Sequence, residues 1–180
     1  MIEGGAALLT WLGAALVVLA DGRRGLAVGL GMLAVGFTAL AISGGEPLAG
    51  VAVGTGGAIA SVQRWRHGPA AWVVMPPGST PRLVLCVAAG LLGLWLAASI
   101  TTGPGGPLRF AVIVVLGLMV ARVLTARDAP VAITAVAGLA LALAGASGLA
   151  AGSPSLLPYF AGALAAAGST FLPQSEPHGA

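Results

Sequence analysis

The chain has 180 residues, 58% apolar and only 7% charged, with eight Arg, no Lys, five acids and two His. A soluble domain covers itself with about 25% charged residues, so a soluble globular fold is excluded and the surrounding solvent is mostly lipid. A single cysteine, Cys86, excludes an internal disulfide, and a net charge of +3 carried by arginines beside apolar runs points to membrane orientation rather than to nucleic acid.

The hydrocarbon core of a bilayer needs about 20 apolar residues of helix to cross it, and the charges of this chain fall between runs of that length. Residues 4–20 lie between Glu3 and Asp21, residues 25–45 between Arg24 and Glu46, and residues 47–63 between Glu46 and Arg64. A signal peptide carries its positive charge before the apolar run. The first run has the reverse order, Glu3 before it and Arg23-Arg24 after it, so it is expected to be a retained helix with its N-terminus outside. Residues 64–81 make the one sizeable inner loop. Its PAAWVVM stretch is too short to cross and ends at Pro76-Pro77-Gly78. It is read as a linker at headgroup level anchored by Trp65 and Trp72, with a re-entrant segment as the alternative.

The run after Arg82 ends in the turn-forming 101–107 stretch, the next one, 110–121, lies between Arg109 and Arg122 and extends to a span if both arginines snorkel, and 129–175 is uncharged and long enough for two passes, broken at Gly152-Ser153-Pro154. The expectation is an all-α, polytopic membrane bundle forming one transmembrane domain over 1–180, followed by a short polar tail at 173–180. Seven spans are placed near 5–20, 25–43, 47–63, 82–101, 108–125, 129–151 and 155–172, with six as the alternative count. With the N-terminus outside and the C-terminus in the cytoplasm, the inner loops receive Arg23, Arg24, Arg64, Arg66, Arg82, Arg122 and Arg127, and the outer loops only Arg109, as cytoplasmic retention of positive charge requires. A bacterial inner membrane is the expected location.

Chemistry inside the bilayer shows itself as costly ionisable groups within spans. Asp21, Glu46 and Asp128 all fall at helix ends, and His67 and His178 lie outside the spans. No proton relay, metal site or cofactor is expected, and no lysine is present for a retinal Schiff base. A lipid-active enzyme would have to use His67 with Arg64 and Arg66, which read better as an anchor. Arg122, just before the inner end of its helix, reads as a snorkelling side chain. Arg64, Arg66, Arg109 and Arg122 are the candidate contacts for anionic lipid or a partner. Tyr159, Trp11, Trp65 and Trp72 fit boundary positions, and Trp95, near mid-span, reads as a gap filler.

Glycine spacing is the richest pattern. Gly25 and Gly29, Gly50 and Gly54, and Gly148 and Gly152 stand four apart, as in close helix contacts. Gly54, Gly56 and Gly57 within one helix invite a kink, or room for a ligand or partner helix. Gly45-Glu46-Pro47-Leu48 and Gly105-Gly106-Pro107-Leu108 align at an offset of sixty residues, hinting at a repeated hairpin (25–63 and 82–125) of the kind transporters contain. The expected role is a non-catalytic structural or accessory subunit, packed against other membrane subunits or itself. The alternative is a small permease or channel for a neutral or apolar solute.

Overall fold

The structure, a computed structural model, describes residues 2–67, 72–76, 78–99, 105–149 and 156–171. These residues form seven helices: α1 (Ile2–Leu19), α2 (Arg23–Ser43), α3 (Pro47–Arg66), α4 (Thr80–Ser99), α5 (Gly106–Thr125), α6 (Ala129–Ser147) and α7 (Leu157–Ser169). Each begins and ends close to where charge and turn residues placed it. The chain punctuates itself with proline in the first turn of α3, α5, α6 and α7, where a missing N–H costs nothing. Gly45 and Gly105 take φ of +89° and +90° directly before α3 and α5. The break at Gly152-Ser153-Pro154, most of the 101–107 turn, the start of the PAAWVVM stretch and the 173–180 tail lie outside the described residues.

Five helices, α1, α2, α4, α5 and α6, are long and apolar enough to cross a membrane. α7, with 13 residues, reaches about 20 Å at 1.5 Å per residue. α3 has the length but is diluted by four glycines and by Gln63, Arg64 and Arg66 near its end.

The helices form two rows of three laid face to face. In one row α2 lies between α1 and α3, and in the other α6 lies between α5 and α7. Across the rows α1 meets α5, α2 meets α6 and α3 meets α7, while α4 touches only α1 and α5 from outside. Leu26, Leu30, Leu33 and Phe37 of α2 pack with Leu118 and Met119 of α5 and Leu141 of α6 in the centre.

Around that bulky centre, small residues line much of the buried faces while large apolar ones also point outward, so polarity does not separate the two sides. α6 buries Ala135, Ala137, Gly138, Ala140, Ala142, Ala144 and Gly145 and turns Val136 and Leu143 outward. α4 buries Cys86, Gly90, Gly93 and Ala97, one helix stripe, and exposes Leu91, Leu92, Leu94 and Trp95. Small residues of this kind let helix backbones approach closely.

The two turns of the sixty-residue alignment are alike, each with a positive-φ glycine, Gly45 or Gly105, ahead of a proline in the first turn of the next helix. Gly57 is enclosed by its neighbours, whereas Gly117 has no atom near its Cβ direction.

Candidate functional site

The densest polar chemistry lies at the bundle end that carries the turn between α1 and α2. Asp21 sits in this turn, Arg82 in the first turn of α4, and Arg122 one turn before the end of α5, where a cation suits the helix dipole. Arg82 Nη1 donates to both carboxylate oxygens of Asp21 at 3.0 Å. Arg122 Nη2 donates to the same carboxylate and, at 2.8 Å, to the carbonyl of Ala20. Arg122 is only 2% exposed, which corrects the snorkelling expectation: its side chain turns into the bundle because a carboxylate and an open carbonyl wait there. Burial by itself would raise the Asp21 pKa, but the hydrogen bonds and charges of Arg122 and Arg82 together hold it below the ordinary 3.8.

The inner loop closes this junction. Val73 O accepts from the backbone N–H groups of Asp21 (3.0 Å) and Gly22 (3.1 Å), Met75 N donates to Leu19 O at 3.1 Å, and Ala20 pairs with Val74 in an isolated antiparallel bridge. Met75 takes a φ of 58° to do so, a left-handed conformation uncommon outside glycine. The described part of the loop therefore lies across the junction and bonds the Leu19 carbonyl at the end of α1 and the N–H groups of Asp21 and Gly22 in the turn before α2. Trp72 is exposed beside it.

Next to the junction is an arginine corner. Arg23 Nη1 donates to Arg66 O at 3.3 Å, tying the start of α2 to the end of α3. The Arg24 guanidinium lies 5.8 Å from the centre of the exposed Trp65 ring. Arg64 is 5% exposed and donates to the carbonyls of Pro130 (3.3 Å) and His67 (3.4 Å). Arg66 is exposed at the helix end.

The opposite end has a smaller polar group. Tyr159, expected at a boundary, is buried at the start of α7, within electrostatic reach of Glu46 in the α2–α3 turn and Ser147 of α6. Arg109 is half-buried at the start of α5 and has a bonded partner.

The glycines act as contact points. A Cβ on Gly29 would lie 2.9 Å from Gly13 O, one on Gly25 would lie 2.6 Å from the Ala20 side chain, and one on Gly50 would lie 3.1 Å from Thr38 O. The segment Gly54–Gly57 lies within a single helix, α3, from Pro47 to Arg66. Its glycines meet three neighbouring helices: Gly54 meets Thr38 of α2, Gly56 meets Ala163 of α7 at 2.6 Å, and Gly57 meets Ala34 of α2 and Leu141 of α6. Gly148 faces the Tyr159 hydroxyl, and Gly152 is outside the described residues. Gly13, Gly36, Gly90 and Gly93 make equally close contacts that four-residue spacing alone does not pick out. Gly90 and Gly93 with Cys86 and Ala97 would have been legible as a stripe alternating steps of four and three.

An apolar cleft of about 610 Å³ opens between α1, α4 and α5, lined by Trp11, Leu91, Leu94 and Phe110 with Gly4 and Gly106 at one end. Trp11 is in the middle of α1, not at a boundary. Its indole N–H donates to Cys86 O at 3.2 Å and so pins α4 to α1. Trp95 fills no gap: it is 63% exposed on the outer face of α4.

The fold and this site define an all-helical bundle whose apolar helices are compatible with membrane residence. No protein-family model matches the chain, and no curated protein or solved structure does either.

Proposed function

We propose that this is a multi-pass membrane protein of the cell membrane, all seven helices in the bilayer, N-terminus outside and arginine-rich end in the cytoplasm. Its role is that of a non-catalytic structural or accessory subunit packed against other membrane proteins. The observation that carries this reading is the contrast between seam and surface. The seam between the rows is filled by Leu33, Phe37, Met119 and Leu141, with Gly138 and Gly145 pressed against Met119 and Phe37. The outer helix α4 instead presents Leu91, Leu92, Leu94 and Trp95 outward. Short loops and tightly packed small residues suit a rigid scaffold whose binding surface is its lipid-facing side.

Extraction in a mild detergent tests this. The subunit reading expects recovery in a larger complex with stoichiometric partners, and aggregation of the chain when isolated. A monodisperse, isolated chain that carries a solute into liposomes would overturn it. That outcome is the second reading, a permease for an apolar solute, which the cleft between α1, α4 and α5 favours.

A further inference from the structure

Asp21 is fully engaged by Arg82 and Arg122, and no ion pair is seen for Arg24, Arg64 or Arg66 among the described residues. Arg64 nonetheless is 5% exposed and bonds only to neutral carbonyls. The Nε atoms of Arg24 and Arg64 are buried with no hydrogen-bond partner among the described residues. The positive charge of Arg23 acts on Arg64 as well, and Arg23 is tied to the backbone of the helix end that carries Arg66. Burying a guanidinium without a counter-charge is costly, and gathering like charges around it adds to the cost.

An anion relieves both. A tetrahedral phosphate suits arginine because its oxygens accept paired N–H bonds, and the start of α2 adds uncapped backbone N–H groups. The corner also carries its own depth marker: Trp65, 45% exposed, stacks under Arg24 as aromatic rings do at headgroup level. We propose that Arg23, Arg24 and Arg66, over the buried charge of Arg64, bind the phosphate of an acidic lipid headgroup at the junction of α2 and α3. This rests on the chain residing in a bilayer, but not on its role as a subunit. Arg122, already paired with Asp21, takes no part.

The test uses the full chain in a neutral detergent. Its melting temperature is followed against added phosphatidylglycerol, against phosphatidylcholine, and against inorganic phosphate alone. Phosphatidylglycerol should stabilise it saturably, and the Arg24→Gln/Arg66→Gln variant should need on the order of tenfold more lipid for the same shift. Arg127→Gln, an exposed arginine at the same end, should behave as the parent. Arg66→Gln alone carries the comparison if the double variant does not fold, since no side-chain bond of Arg66 is seen among the described residues. Equal stabilisation by phosphatidylcholine, an unchanged variant, or an equal loss in Arg127→Gln would overturn the site. Inorganic phosphate matching the lipid would overturn the headgroup assignment. Recovery in a complex or alone is read separately, so the subunit role can fail without this site failing.

Discussion

Arg122 and Asp21, 101 residues apart in the sequence, are joined by an ion pair that lets α5 grip the turn between α1 and α2. The two ends of the pair differ. Arg122 is enclosed at 2% side-chain exposure, whereas the Asp21 side chain is 32% exposed and shared with Arg82.

That asymmetry ranks two substitutions. Asp21→Asn strands a buried guanidinium and should cost on the order of 2–4 kcal/mol, below the full value for a buried pair because Asp21 is partly solvated. Arg122→Met removes the buried charge along with its need for a partner and should cost less. Adding Arg122→Met to Asp21→Asn should then restore part of the loss. Unfolding in mixed micelles measures all three, and an Arg122→Met as damaging as Asp21→Asn would contradict the ranking.

The same carboxylate predicts an acid limit. Its folded pKa lies below the ordinary 3.8, so its contribution is fully present above that value and is lost as pH falls through the lower, folded value. Stability of the parent chain should therefore decline below about pH 4, while Asp21→Asn should lack this component. Parallel acid titrations of melting temperature provide the comparison.

Glycines with and without neighbours should respond differently to the same change. Gly56→Val would drive its side chain into the backbone of Ala163 and part α3 from α7, at about 1–3 kcal/mol for an overpacked contact. Gly117→Val points into open space and should stay within about 0.5 kcal/mol of the parent. Similar losses at both sites would mean that helix propensity, not contact, governs.

The single thiol reports on α4. Cys86 is buried between α4 and α1 and should resist a maleimide in folded protein. Trp11→Ala removes the indole bond to Cys86 O and the ring that covers Gly90, so labelling should accelerate severalfold while the other helices stay folded by circular dichroism. An unchanged rate would show that Trp11 does not hold α4 in place.

Topology is open to reporter fusions. Fusions after Arg24, Arg66 and Arg127 should report cytoplasm, and those near Glu46 and Pro104 the outside. An outside signal at Arg66 would remove the seven-span arrangement and reverse the assignment of the arginine-rich end.

The amino-acid sequence by itself determined the helices and their ends. A charge in a hydrocarbon layer is costly wherever the rest of the chain lies, so the thirteen formal charges mark boundaries locally, and proline and glycine sharpen them. Which helix faces meet was decided only by the tertiary structure. Both the lipid-facing and buried sides are apolar, so polarity leaves no stripe to read, and small residues are too common for every close contact to stand out. For that reason sequence places Trp95 inside and Trp11 at a boundary, whereas the fold exposes Trp95 on the outer face of α4 and holds Trp11, mid-helix, against Cys86 O. It is also why the partnership of Asp21 with Arg82 and Arg122, drawn from a turn and two distant helices, became visible only once the two rows were packed together.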